Sequence, residues 1–436
     1  MINNSKSNYD IVFWSHGHVD IERYLPIMVS LKDKGIKPVL FYQNYSFKDG
    51  LTIAQQEIVQ KYNLAIMDYS SFLDSIILKL ISFLARLIKQ GFLRNKLFGM
   101  RSKIIKNSMT ESFIRSLVSY LNPAINFFDS ISLVEYTDYP YGSFYVKKSS
   151  DSLNIKTLSI YQGGTGHVFE SGRLPKFDLN LNFDKIYLPN EFERNRLMLH
   201  DNKIQAIAFG DPRFDTNWKV KIKKLFYSQV KLMFEKEKLI TKKSILYLCP
   251  NLESLGEEKR KYNNLKDVIR ISRELGNVAL LVKPHPRYRH EGKIRKLAAE
   301  LRFKDLLILE NDPPLICYSD FVDYIISVTS SAVNDFLPED FQKVIIYDNV
   351  SSQRGLINIY KDGFNYFDEY KGLAGFLKKT ISGYEENEGK NDFVQKFCKK
   401  WISAGREMDE IVNDITDDIC KEIEKARLLR GKGDRL

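Results

Sequence analysis

A chain of 436 residues, 44% hydrophobic and 28% charged, is too long for one ordinary core and too apolar for a disordered segment. No run of about twenty uncharged apolar residues occurs, so no bilayer-spanning helix is expected, and the polar start Met1–Asp10 does not read as a secretory signal. Lysine and arginine exceed aspartate and glutamate by 66 to 55, a formal +11 that suits nucleic acid, anionic lipid or a phosphorylated substrate. Nucleic acid is set aside, because no RNP-type aromatic motif, zinc-finger spacing or helix-turn-helix accompanies the charge.

In chain order, Ile11–Trp14 is a short apolar run that ends in a Ser-His-Gly-His turn. A helical pattern follows through Tyr24, Leu25, Ile27, Met28 and Leu31, stops at Lys34-Gly35, and gives way to a strand at Pro38–Tyr42. That is a βαβ unit and requires a parallel sheet. Further strands are expected at Leu64–Asp68, Ala124–Phe128, Thr157–Tyr161, Lys185–Leu188 and Ile207–Phe209. After the polar, basic stretch Asn217–Lys243 the alternation restarts at Ser244–Leu248 and continues with Val278–Val282, Leu306–Leu309, Tyr324–Ile326 and Val344–Tyr347. Two successive βα series with a linker near residue 220 predict two doubly wound α/β domains, 1–220 and 221–390. The helical, charged segment 391–436, anchored by Phe393, Phe397, Trp401, Ile411 and Ile415, is expected to pack partly back on the first domain.

Residues 74–110 interrupt this pattern. They carry Lys79, Arg86, Lys89, Arg94, Lys96, Arg101, Lys103 and Lys106 among many large apolar side chains, with no acid after Asp74. This suits an amphipathic helix lying on an anionic membrane surface, or equally a packed helix with a basic outer face. The cysteines Cys249, Cys317, Cys398 and Cys420 form no CxxC pair and no cluster with histidine, which fits a reducing cytoplasm and buried thiols rather than structural zinc.

Chemistry concentrates at two strand ends of the second half. Lys283-Pro-His285-Pro-Arg287 directly follows an apolar strand. A histidine held between two prolines can aim its imidazole at a phosphate, with Lys283 and Arg287 adding charge; it can also be a rigid turn bonded to backbone. Strand Tyr324–Ile326 runs into Ser327-Val-Thr-Ser330-Ser331-Ala-Val-Asn334-Asp335, where hydroxyls at a helix start can cradle phosphate or simply cap. Two such turns on one sheet favour a phosphate site. In the first half, His16, His18 and Asp20 after the first strand are candidate general bases, and Asp138, in Glu135-Tyr-Thr-Asp-Tyr-Pro-Tyr141, could bind a sugar; both turns equally suit solvated loops. No Asp-x-Asp metal motif occupies a suitable strand end, so neither metal nor cofactor is expected.

The His-Pro and Ser-Ser pair resembles the HP and SS motifs of GT-B transferases that build bacterial surface polysaccharides, including polysialyltransferases, Kdo transferases and CDP-glycerol glycerophosphotransferases. Ser159-Ile-Tyr-Gln162-Gly163-Gly164 is similar to the strand and Gln-His-Gly turn of such proteins, with Gly163 where histidine is commoner. Ala208-Phe-Gly-Asp-Pro-Arg213-Phe-Asp215 is similar to their Gly-Ser-Pro-Arg-x-Asp segment near the interdomain junction. The resemblance implies two Rossmann-like domains facing a cleft, the GT-B arrangement. It implies a donor held by His285, Ser330 and Ser331, with Lys283, Arg287, Asn334 and Asp335 as further donor contacts, and Gln162, Gly163, Asp138 and Arg213 on the acceptor side or cleft wall. His18 is preferred as base, with Asp20 and His16 open. The expected reaction is metal-independent glycosyl transfer from a nucleotide sugar, with CMP-linked Kdo or another ulosonic acid favoured. The acceptor would be a glycan or lipid-linked hydroxyl at the inner face of the cytoplasmic membrane. Rivals are a CDP-polyol phosphotransferase, a sugar-nucleotide epimerase and a non-catalytic glycan-binding or membrane scaffold.

Overall fold

The computed structural model describes residues 9–15, 18–42, 51–68, 111–129, 141–161, 183–200, 205–250, 258–284, 290–309, 313–328, 331–349, 363–381 and 391–433. They form two compact units: one holds the described residues up to Asp215 together with those from Ser403 onward, the other Thr216–Ile402. Each is built on a parallel sheet, and the fold class is two Rossmann-like doubly wound units with a C-terminal helix returning to the first.

The first sheet contains β1 (Ile11–Ser15), β2 (Pro38–Tyr42), β3 (Ala65–Asp68), β4 (Ile125–Asp129), β5 (Lys156–Ile160), β6 (Lys185–Leu188) and β7 (Gln205–Ala208), in the order β3-β2-β1-β4-β5-β6-β7. All five residues of β1 are buried, as expected of a central parallel strand covered on both faces. On one face, Val12, Trp14, Val39 and Phe41 pack against α3 (Glu111–Leu121) and α4 (Tyr141–Ser152). A buried polar chain fixes that packing: the Trp14 indole donates to the Asn126 side-chain oxygen at 2.9 Å, and the Asn126 amide donates to the Ser150 hydroxyl at 2.9 Å. The other face carries Phe13, Phe127 and Tyr187, whose rings run across the sheet with centroids 4.8 and 6.0 Å apart and are joined by Tyr24 of α1 (His18–Asp33). Among its described residues this unit also holds α2 (Ile53–Lys61) and α5 (Glu191–His200).

The second sheet contains β8 (Lys243–Leu248), β9 (Val278–Lys283), β10 (Leu306–Ile308), β11 (Tyr324–Ser327), β12 (Val344–Tyr347) and β13 (Asn365–Phe367), in the order β10-β9-β8-β11-β12-β13. Its described α-helices are α6 (Thr216–Lys236), α7 (Glu258–Leu275), α8 (Glu291–Glu300), α9 (Tyr370–Ile381) and α10 (Asn391–Trp401). Tyr247, Val282, Ile326 and Ile345 face a core shared with α7, α8 and α9. By alternation, Leu248, Lys283, Ser327 and Ile346 point to the opposite face. The basic stretch that reads as a connection, Asn217–Lys243, is largely the 21-residue helix α6, which buries Ile222, Phe226, Val230 and Phe234 at helical spacing. Cys249, Cys317 and Cys398 are buried, and burial pushes each thiol up to about 12.

The last described helix, α11 (Ile411–Gly433), belongs to the first unit. Ile411, Ile415, Ile419 and Ile423 are fully buried at four-residue spacing. Where it passes the amino ends of β5 and β6, Lys185 is 2% exposed and its ammonium lies 2.7 Å from Asp418 and 2.9 Å from Glu422, while Lys156 pairs with Glu422 and the Tyr187 hydroxyl donates to Asp418 at 2.7 Å. Burial alone would raise the Glu422 carboxyl; the two ammonium groups overcome it and hold it at about 2. Burial likewise opposes the Lys185 charge, and the two carboxylates outweigh it and raise its pKa. Among the described residues no helix is long and apolar enough to cross a membrane. The basic stretch between Lys79 and Lys106 lies outside the described residues.

Candidate functional site

In an open parallel sheet, ligands gather beyond the carboxyl ends of the strands, where the strand order reverses. In the second unit that point lies between β8 and β11. The register puts Leu248 opposite both Lys283 of β9 and Ser327 of β11, so Lys283 and Ser327 occupy one row on either side of β8. Two strand spacings separate them, roughly 10 Å. Both phosphate-suited motifs therefore leave the sheet at one edge. Pro284 is buried at the start of the first turn; His285 and Arg287 lie outside the described residues. His290, 8% exposed, precedes α8 without a side-chain cap bond.

Beyond β11, Ser330 lies outside the described residues and Ser331 opens a 3₁₀ helix, Ser331–Phe336, where the sequence reads as an α-helix. A six-residue 3₁₀ helix has a weaker dipole to offer than an α-helix, so side chains must supply more of any anion's binding. Asn334 in this helix is fully buried, and neither its amide nitrogen nor its oxygen has a partner; the Ser327 hydroxyl is also buried without one. Buried unpaired polar groups are costly and call for an explanation. Asp335 is half-buried.

The far end of the segment is clamped by α6. The Thr216 hydroxyl donates to Glu339 at 2.8 Å, and Lys219, its side chain 4% exposed, bonds the Leu337 carbonyl oxygen and lies 3.1 Å from the Glu339 carboxylate. Lys223 reaches Asp320 at 2.9 Å and Asp340 at 3.2 Å. Burial works to raise the Asp340 carboxyl, but Lys223 and Lys343 lower it. A second polar group closes the exit of β12, where Asp267 of α7 accepts from the Tyr347 hydroxyl and the Asn349 amide, both at 2.8 Å. Beside it the buried Asn264 amide nitrogen has no partner. None of these clamps has a sequence signal, because the partners of α6 lie about a hundred residues away, with Lys219 and Leu337 separated by 118.

In the first unit, β1 ends at the buried Ser15, and α1 begins at His18, so His18 and Asp20 belong to its first turn rather than to a free loop. His16, Asp138, Gln162 and Gly163 lie outside the described residues. Arg213 is held by the segment around it: its backbone N–H and guanidinium donate to Asp211 at 3.1 and 2.9 Å, and it lies 3.8 Å from Glu22 of α1. Asp211 also receives buried Arg23 of α1 at 3.2 Å. Burial would raise the Asp211 carboxyl, but Arg213 and Arg23 hold it at about 2. Two further Arg23 nitrogens, Nε and Nη1, are buried without partners. Asp215 accepts from the Val412 backbone N–H at 3.1 Å, fixing the first turn of α11. The Gly-Asp-Pro-Arg-x-Asp segment thus ties β7 to α1 and to the last helix.

No family model matches the chain, and neither does any curated protein sequence. Solved structures do. A UDP-GlcNAc 2-epimerase from Neisseria meningitidis bound to UDP-GlcNAc superposes with a TM-score of 0.59 at 12% identity, over 94% of this chain and 99% of that one. A UDP-GlcNAc 2-epimerase from Methanocaldococcus jannaschii gives 0.53 at 13% identity, over 93% and 98%. Glycyrrhiza uralensis UGT73P12, complexed with glycyrrhetinic acid 3-O-monoglucuronide, gives 0.55 at 11% identity, over 97% of each chain. At such identities the likeness is one of fold, and the fold is GT-B.

Proposed function

We propose that the chain is a metal-independent GT-B glycosyltransferase that takes its sugar from a nucleotide donor held by the second unit. The observation that carries this reading is the shared row of Lys283 and Ser327 at the switch point, with the His285 and Ser330–Ser331 turns directly beyond it. Lys283, His285 and Arg287 would neutralise the donor phosphate, and the serine turn would bond its oxygens. Asn334, buried with its amide unpaired, is the candidate contact for the donor ribose or sugar, with Asp335 beside it. Stabilising the leaving phosphate is the main chemical task, because charge develops there as the glycosidic bond breaks. In an inverting transfer a base from the first unit, His18 or else Asp20 or His16, removes the proton of the attacking hydroxyl. Gln162, Gly163, Asp138 and Arg213 fall to the acceptor side in this reading, Arg213 through its hold on α1. The acceptor would be a glycan or lipid-linked hydroxyl of a bacterial surface polysaccharide, met at the inner face of the cytoplasmic membrane.

Sugar-nucleotide epimerisation is the second reading, favoured by the epimerases among the fold neighbours. It needs acids and bases around one bound sugar and no acceptor. The two readings divide on product analysis with UDP-GlcNAc and CMP-Kdo, each with and without lipid-linked glycan. Sugar appearing on the glycan supports transfer. Conversion of UDP-GlcNAc to its 2-epimer without any glycan would establish epimerisation instead.

A further inference from the structure

Ten large hydrophobic side chains stand exposed among the described residues, and four of them, Val220 at 59%, Tyr227 at 47%, Leu232 at 64% and Ile240 at 57%, fall on α6 or its exit. Single exposed hydrophobic residues are ordinary, but a concentration on one element is not. The helix has already satisfied its core through Ile222, Phe226, Val230 and Phe234, so these residues are left over from folding. At one hundred degrees per residue, Val220, Lys224, Tyr227 and Lys231 form one ridge, and Lys221, Ser228 and Leu232 the next. All seven are exposed. From Thr216 to Phe234 the sequence contains no acid. The outer face is therefore a strip of mixed lysine and apolar side chains that runs to the exposed Glu235, with the Tyr227 ring braced at 5.2 Å by Phe321.

We propose that this face of α6 is a docking surface for an anionic lipid layer. A helical ridge suits a deformable, laterally continuous partner. Val220, Tyr227 and Leu232 can enter the headgroup region while the lysine stems lie along it and their ammonium groups meet lipid phosphates. Lys219 and Lys223 are turned inward onto Glu339, Asp320 and Asp340, whereas Lys221, Lys224 and Lys231 are exposed, Lys231 with the exposed Glu235 carboxylate 4.0 Å away. Each lysine near an anionic surface contributes about 1 kcal/mol, so three amount to roughly a hundredfold in partitioning. The proposal does not depend on which reaction the chain catalyses.

The test is co-sedimentation of the full chain with phosphatidylcholine vesicles, with or without phosphatidylglycerol, across a salt series. Wild type should sediment only with the anionic vesicles and be released as salt screens the attraction. The variant Lys221→Glu, Lys224→Glu, Lys231→Glu should lose at least roughly a hundredfold in partitioning. Tyr227→Ser with Leu232→Ser should lose less and keep the salt dependence. All positions are exposed, and an unchanged melting temperature confirms folding. A companion variant, Arg86→Glu with Lys89→Glu, reports on the other basic stretch. Failure of wild type to sediment with anionic vesicles overturns the proposal. So does a triple variant that binds like wild type while the companion variant does not. Self-association in the absence of lipid, abolished by the serine pair, would assign the face to a second copy of the chain and overturn it as well.

Discussion

Replacing Lys185 by methionine tests what holds the last helix to the first sheet. The ammonium is 2% exposed and bonds both Asp418 and Glu422, whose side chain is 3% exposed. Breaking a buried pair by removing one partner costs about 3–5 kcal/mol, because the remaining charge stays desolvated. Lys156 still reaches Glu422 and the Tyr187 hydroxyl still donates to Asp418, so the lower end applies, about 3 kcal/mol. For a unit of this size each kcal/mol moves Tm by about 2–4 °C, which gives a drop of roughly 6–12 °C by calorimetry. The pH dependence supplies a second readout. The Glu422 carboxyl is held at about 2 against an ordinary 4.5, so its stabilisation is complete above 4.5 and is lost as pH falls toward 2. The gap in Tm between wild type and Lys185→Met should therefore narrow over that interval. The Lys185 pKa is raised above 10.5, so its own contribution persists below that value and fades only above it. A variant melting within about 2 °C of wild type, or a gap that ignores acid, would show that the cluster does not anchor α11.

Three further outcomes follow from the same reasoning. Asp211→Asn leaves buried Arg23 without its counter-charge and should cost about 3 kcal/mol in denaturant unfolding, whereas Arg213→Ala, at a site 23% exposed, should cost less; equal stability of all three proteins would remove the clamp. Asp215→Ala takes away the acceptor for the Val412 N–H and should cost about 1 kcal/mol, with hydrogen exchange rising first in α11; unchanged exchange there would contradict it. His18→Ala should slow transfer by about a hundred- to ten-thousandfold while nucleotide affinity survives. Asp20→Asn and His16→Ala belong beside it, and if all three stay active Asp138 is the next residue to replace.

The fold was legible because its strands advertise themselves. Short apolar, β-branched and aromatic runs such as Ile11–Ser15 and Val344–Tyr347 are bounded by glycine or polar residues, and parallel strands covered on both faces need nothing else. The edge strand Asn365–Phe367 escaped, being three residues long and only partly buried. Helix α6 escaped for another reason: its lysine-rich outer face masks an apolar stripe spaced four apart. The turn after β11 read as an α-helix because serines cap helices, yet it closes as a 3₁₀ helix. Of the candidate site, the two strand-end motifs were visible as local sequence. The ion pairs of Lys219, Lys223, Arg23 and Lys185 were not, since their partners lie far away in the chain and nothing local distinguishes them from solvated charges.

Calorimetric titration of wild type and His285→Ala with CMP, CDP and UDP tests the donor site most directly. One nucleotide should bind wild type, and the variant should bind it about ten- to a hundredfold more weakly, the loss of one charge-assisted hydrogen bond, with Tm unchanged. Ser331→Ala should weaken the same nucleotide. Equal affinity of His285→Ala and wild type, or no binding of any of the three nucleotides to wild type, would contradict a donor site at the carboxyl edge of β9 and β11.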